Sequence, residues 1–386
     1  MHLNILVDAD IPGIRESFSP YGQVRAVPGY EITRADTASA DVLVVRSVTR
    51  VDRELLTGTP VQFVASATAG VDHVDHEWLR EAGIGFASAV GANAGAVTDY
   101  VLSALGVAIQ NGALEGWPDV TVGIVGCGHV GMRLARQLER IGCRVLVSDP
   151  PRAETGTMDR PSVPLSDLLE QVDALSLHTS LTRAGAWPSK GLLTADAMAR
   201  LPAGAVLVQT SRGGVLDDRD AARRRRRGDL AFLALDVWEH EPVPAPDVVA
   251  AADLATPHIA GYSSSAKWRG VQMVAGALAE HLGVRPCPPS AAPEANEVLT
   301  VDRGWPGPAE AFSWLTRRLY DVQTDDALLR EAIQCGASSR ELGERFHSLR
   351  AQYGTRPGYD AYSLQTDDPR WRALFEAVTR DDREVR

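Results

Sequence analysis

The segment that most constrains this chain is Gly126-Cys127-Gly128-His129-Val130-Gly131, a G-x-G-x-x-G run. Three glycines at this spacing arise by chance in a chain that holds 34 of them, so context decides. The run follows VTVGIV, which reads as a buried strand, and opens VGMRLARQLERIG, which reads as an amphipathic helix. A second strand, RVLVSD, ends in Asp149, 18 residues past Gly131. In such a unit Gly126 permits a tight turn, Gly128 lets a pyrophosphate approach the backbone, and Gly131 lets helix pack on strand. The helix start at His129 and Val130 offers free N–H groups and a partial positive charge to phosphates. Asp149 can accept hydrogen bonds from both ribose hydroxyls and would repel a 2′-phosphate, which favours NAD over NADP, although Arg152 lies close by.

The rest of the chain supplies a setting for that unit. Short apolar runs at 4–8, 42–46, 61–67 and 84–89 alternate with polar, helix-like stretches. A second series follows at 121–126, 144–149, 174–179, 205–210 and 230–236. Runs of this length, rich in Val and Ile, read as parallel strands joined by crossovers, so two doubly wound α/β domains are expected. Between the series, Thr98–Gln110 is apolar around most of its surface and should form a buried helix, between domains or subunits. The proline-rich stretch 284–297 ends the regular pattern and reads as a linker. Beyond it the chain is long enough for a small α+β domain.

Composition excludes several classes. A net charge of −11 argues against a general nucleic-acid or anionic-membrane surface. The five arginines 223–227 sit beside acids in an expected surface helix and read as a solvated face. Cys127, Cys143, Cys287 and Cys335 are scattered, with no C-x-x-C pair, so neither a disulfide framework nor a metal site is expected. The start MHLNILVDAD has no export signature and no run reaches ~18 apolar residues, so a cytoplasmic protein is expected.

Three later segments place candidate catalytic groups at strand ends: Ser211-Arg212-Gly213-Gly214, Asp236 to Pro242, and Thr256 to Gly261. Ligands of open parallel sheets collect at the carboxyl ends of strands, so these loops should converge. Oxidising an alcohol by hydride transfer requires a base for the hydroxyl proton, and histidine suits that task. An acid would hold the imidazole, and an arginine would grip a carboxylate. By residue type alone His178 and His240 rival His258, and Glu239 rivals Glu241.

SRGGVLD, LDVWEHEP and TPHIAG together resemble signatures of the D-isomer-specific 2-hydroxyacid dehydrogenases. Further matches at 44–52, 67–75, 148–154, 258–263 and 320–331 extend the resemblance over nearly the whole chain, toward a subfamily that handles a phosphate-bearing acid. It implies a flavodoxin-like substrate domain made of 1–93 and 257–285, a Rossmann NAD domain at 94–256, and a small C-terminal domain at 290–386 that makes a homodimer. It further implies a cleft between the first two. Arg212 would orient the substrate, and Glu241 would partner His258, the general acid/base. His178, Thr179, Asp236 and Gly261 would join the glycine loop in holding NAD. The backbone of Ala69, Gly70 and Val71 would hold the substrate carboxylate, with Arg46, Ser47 and Thr68 toward a phosphate.

Val71, Ala92, Asp99 and Ser211 depart from the subfamily pattern, where threonine, cysteine, glutamate and cysteine are usual. The expected function is an NAD-dependent 2-hydroxyacid dehydrogenase or 2-oxoacid reductase acting on a small phosphate-bearing acid. The alternatives are reduction of a phosphonate-bearing 2-oxo acid such as phosphonopyruvate, or a non-catalytic NAD-sensing binding protein.

Overall fold

A computed structural model describes residues 3–288, 297–334, 338–354 and 356–380; Cys335 and part of the proline-rich stretch lie outside them. The chain divides into two compact units, Met1–Asn93 with Ser263–Ala295, and Ala94–Tyr262 with Asn296–Arg386.

The first unit is a five-stranded parallel sheet of β1 (Leu3–Asp8), β2 (Gly22–Val27), β3 (Val42–Val45), β4 (Phe63–Ser66) and β5 (Gly85–Ser88), in the order β2-β1-β3-β4-β5. Helices cover both faces, which explains why β3 and β4 are buried at every residue. One face packs Ile5, Val7 and Val44 on Val271, Val274 and Leu278 of the helix Ser264–His281. The other packs Leu6, Leu43 and Val64 on Leu56 and Leu79. The apolar runs mark β1, β3, β4 and β5 but pass over the edge strand β2, whose Gln23 and Arg25 are exposed. With one neighbour only, β2 needs no apolar run to be held.

The second unit carries β6 (Thr121–Val125), β7 (Arg144–Ser148), β8 (Ala174–Leu177), β9 (Ala205–Gln209), β10 (Leu230–Leu235) and the short β11 (Leu254–Ala255). These form one parallel sheet in the order β11-β10-β9-β8-β6-β7. The order reverses at β6, where the chain goes first to β7 and then across to β8. At that switch point the flanking loops part and leave a crevice at the strand ends. The two parallel α/β units and the small C-terminal α+β segment are the expected fold class.

The apolar helix Ala94–Gln110 is buried from Ala94 to Ala108. Its cover is C-terminal: Ser313 Oγ donates to the Gly106 carbonyl at 2.7 Å, and Ser103 Oγ to the Tyr320 carbonyl at 2.6 Å. Thus the helix Pro308–Leu319 lies along it. Phe312, Leu315, Trp371 and Val378 share one core with Leu105, Trp117, Leu134 and Leu138. The strands β12 (Glu297–Thr300) and β13 (Tyr362–Gln365) pair in parallel and complete the C-terminal segment.

Gly106 is the point of closest approach, because a Cβ there would overlap Thr316 Oγ1. Gly106→Val should cost about 1–3 kcal/mol of stability by overpacking. Thermal unfolding followed by circular dichroism should show a Tm lowered by roughly 2–10 °C. An unchanged Tm would mean that these two helices do not pack at this register.

Candidate active site

The crevice at the switch point is a cavity of about 810 Å³ lined by the ends of β6, β7 and β8. Gly126 and Gly128 line it with Asp149, Arg152, His178 and Thr179. Gly126 has φ 89°, and a Cβ on it would lie 2.7 Å from the His178 carbonyl. A Cβ on Gly131 would overlap the Gly126 carbonyl oxygen, so the helix His129–Ile141 can start this close to the strand only with glycine there. Gly128, by contrast, has nothing within 4 Å of its Cβ position, the open side an approaching ligand needs. Asp149 is held ready: its Oδ2 accepts from Cys127 N at 2.7 Å and its Oδ1 from Arg152 N at 3.1 Å.

The Arg152 guanidinium folds back onto the Cys127 and Thr157 carbonyls, at 2.8 and 2.7 Å. His178 lies half-buried at the cavity between Ser176 Oγ and Thr210 Oγ1, and desolvation lowers its pKa to about 3, so it is neutral. Thr179 Oγ1 is buried at the cavity with no hydrogen-bond partner among the described residues. An orphaned hydroxyl, a helix N-terminus and an open glycine are what a dinucleotide's polar backbone would meet.

The three loops after β9, β10 and β11 hold the other candidates. Gly213 lets the first loop touch the second, since a Cβ there would overlap the Trp238 carbonyl. Arg212 Nη1 donates to the Ser211 carbonyl at 2.8 Å, and Gln209 fixes the turn by accepting from Ser211 N and Oγ. Glu241 Oε1 accepts from Trp238 N at 3.0 Å, and its Oε2 lies 2.8 Å from His258 Nδ1. The structure pairs His258 with Glu241 and leaves Glu239 and His240 exposed. Burial pushes Glu241 upward, but the bond and charge of His258, the Trp238 N–H and the Arg350 charge outweigh it and hold the acid below its ordinary value.

His258 has φ 58°, the one non-glycine residue at positive φ among the described residues. Asp236 is buried beneath it and accepts from Thr256 Oγ1 and Ile259 N on Oδ1 and from Ala260 N on Oδ2, at 2.7, 2.8 and 3.0 Å. Gly261 follows directly and is half-buried.

In the first unit, Thr68 Oγ1 lies 2.9 Å from Ser66 Oγ, which in turn meets His73 Nε2 at 3.1 Å. Burial lowers His73 to about 4, so this network is uncharged and sets the loop Ala69, Gly70 and Val71. Arg46 donates to Asp8 and Asp10, each at 2.6 Å, while Ser47 beside it is exposed. The sequence reading missed Lys267 on the helix Ser264–His281. Burial lowers its pKa, and the nearby charge of Arg46 lowers it further. A lysine far along the chain carries no local signal; only folding brings it toward Arg46.

Residues 110–260 match the family described as D-isomer specific 2-hydroxyacid dehydrogenase, NAD binding domain, and residues 293–378 a domain of unknown function (DUF3410). Fold and glycine cradle thus define an NAD-dependent oxidoreductase acting on a CH–OH group, and the chain belongs to the D-isomer-specific 2-hydroxyacid dehydrogenases. It is 46% identical over 364 residues to the erythronate-4-phosphate dehydrogenase of Salinibacter ruber, covering 92% of each chain. It is 41% identical over 369 residues to that of Marinobacter nauticus, covering 94% of each. Among solved structures, the NAD+-bound 3-phosphoglycerate dehydrogenase of Entamoeba histolytica aligns with a TM-score of 0.62 at 26% identity. That match covers 73% of this chain and 96% of the other.

Asp218 adds a pH dependence beside these loops. It accepts from Glu239 N at 2.7 Å, yet burial, with the charges of Glu239, Asp217 and Glu241, raises its pKa to about 7. The folded chain therefore holds a proton here that the unfolded chain releases near pH ~3.9, so stability falls as pH rises across that window and the loss is complete above about 7. Asp218→Asn should remove this part of the slope. Denaturant unfolding should show the variant gaining on the wild type from pH 5 to pH 8; parallel curves would mean that Asp218 is ionised throughout.

Proposed function

We propose that this dehydrogenase acts on erythronate 4-phosphate, interconverting it with the corresponding 2-oxo acid, and so serves pyridoxine biosynthesis. The observation that carries the chemistry is the 2.8 Å pair of Glu241 and His258 at the carboxyl end of the parallel sheet. NAD, when bound, supplies the hydride acceptor. Gly126, Gly128, His129, Val130 and Gly131 would hold its phosphates, Asp149 its ribose, and His178, Thr179, Asp236 and Gly261 the rest.

In the oxidative direction His258 takes the hydroxyl proton on Nε2 while the carbon gives up its hydride. Glu241 keeps Nδ1 protonated and stabilises the imidazolium that forms. In reduction the same nitrogen returns the proton. Arg212 grips the carboxylate and the reacting oxygen. In the first unit we assign the N–H groups of Ala69, Gly70 and Val71 to substrate carboxylate binding.

For the phosphate we assign Arg46, Ser47 and Thr68, joined by Lys267. Asp8 is buried and fixes the guanidinium plane of Arg46, whereas Asp10 is exposed and is the partner an arriving phosphate would displace. Among the described residues no helix is long and apolar enough to cross a membrane, and we place the enzyme in the cytoplasm as a homodimer formed through residues 290–386.

NADH oxidation with a panel of 2-oxo acids tests the substrate. Turnover should be fastest with 2-oxo-3-hydroxy-4-phosphobutanoate; a preference for phosphonopyruvate would assign the pocket to a shorter substrate. His258→Gln should lose about 10²–10⁴-fold in kcat while still binding NADH. A wild-type protein that binds NADH and turns over none of the panel would instead be a sensor. Sedimentation of the full chain should give twice the monomer mass.

A further inference from the structure

We propose that Arg356, from the C-terminal segment, is a positioning residue for the catalytic turn, holding it from the carbonyl side as Asp236 holds it from the N–H side. The inference rests on the assignment of His258 as the acid/base. Arg356 is buried, and its Nε donates to the Tyr262 carbonyl at 2.9 Å. Its Nη2 donates to the carbonyls of Ala260 at 3.0 Å and Ala96 at 3.2 Å. One guanidinium thus ties Ala260 and Tyr262, two and four residues past His258, to the first turn of the buried helix Ala94–Gln110.

The turn needs such a hold. A histidine in the left-handed region costs about 1–3 kcal/mol and persists only where its surroundings over-determine it. Asp236 fixes the N–H groups of Ile259 and Ala260, and the Ile259 carbonyl accepts from Tyr262 N at 2.8 Å, so the entry of the turn is held while its exit, after Ala260, needs a hold of its own. The Arg356 bonds to the carbonyls of Ala260 and Tyr262 fix the planes that follow, so the exit of the turn is held as well as its entry. The Tyr262 side chain is held as well: its hydroxyl takes Arg350 Nη2 at 3.1 Å, and its ring meets Tyr353 edge-on at 5.8 Å.

Arg356 is itself fixed. Its guanidinium stacks 3.9 Å over the Tyr320 ring, and the buried Asp99 carboxyl is a nearby countercharge. Asp99 accepts from Tyr359 N at 3.0 Å, so the chain three residues past Arg356 is anchored too. A planar fork with several donors can serve three carbonyls at once; an ammonium on a flexible stem cannot hold the same geometry.

Two variants and one control decide it. Arg356→Gln should lower kcat about 10- to 100-fold, the cost of misplacing a catalytic group by about 1 Å, with NADH affinity within about twofold of wild type. Arg356→Lys should fold and fall between, and it decides the matter if the glutamine variant does not fold. Gly106→Val disturbs the same C-terminal packing about 15 Å along the helix from Ala96 and should keep wild-type kcat despite its lower Tm. A second readout needs no turnover: the downfield proton resonance of the His258 Nδ1–H bonded to Glu241 should move or broaden in both Arg356 variants and stay put in Gly106→Val.

Unchanged kcat and an unmoved resonance in Arg356→Lys would overturn the proposal, as would a loss of kcat in Gly106→Val equal to that in the Arg356 variants. Full activity in His258→Gln would instead remove the assignment of His258 and leave the resonance result standing on its own.

Discussion

The buried carboxylate of Asp236 is the group around which the second unit's chemistry is arranged. A left-handed residue turns successive backbone N–H groups to one side, forming a concavity suited to an anion. His258 makes that turn, and the anion that fills it is a side chain of the protein itself, from the end of β10. Because β10 and β11 are adjacent and parallel, the loop carrying Glu241 and the turn carrying His258 are both referred to the same strand end. Remove the carboxylate and two buried N–H groups lose their acceptor, each at a cost of about 1–3 kcal/mol. The Glu241–His258 geometry would relax with them.

Close backbone approach carries this order outward. Gly213 lies against the Trp238 carbonyl, so the arginine loop is positioned by the glutamate loop. Trp238 then closes the circuit, donating its N–H to Glu241 and its indole N–H to the Thr256 carbonyl, just ahead of His258. Three loops far apart in sequence are therefore one rigid object. Such rigidity suits proton transfer, which requires donor and acceptor to be held within hydrogen-bond reach.

How much of this could be read beforehand follows from where each signal resides. The glycine run, Asp149 and the four central strands of the second sheet, β6, β8, β9 and β10, are local patterns, because a parallel strand covered on both faces must be apolar throughout. The candidate triad was legible from residue type and strand ends. Residue type could not choose Glu241 over Glu239, since two acids two residues apart differ only once the loop closes on Trp238; the resemblance made that choice. The strand β2 escaped because an edge strand alternates and imitates a loop. Lys267 and Arg356 escaped for a deeper reason: a cation's meaning lies in what it is folded against. The arginines 223–227 make the same point from the other side, for Arg223 and Arg224 pair with Asp220, and Arg225 with Asp253.

Burying Arg356 is costly, and its surroundings show what offsets that cost. Three carbonyl dipoles, an aromatic face and a buried acid surround it, where a well-packed apolar side chain would stabilise the fold as well or better. A buried ion held this way is poor at adding stability but good at specifying one arrangement, because every alternative leaves it without partners. Asp99 shares the penalty: burial raises its pKa to about 6 despite the nearby Arg356 and Arg133 charges. The shared apolar core already secures the C-terminal segment to the sheet. What the ionic cluster adds is register, and the residues whose register it sets are Ala96, Ala260 and Tyr262, beside the turn on which His258 sits.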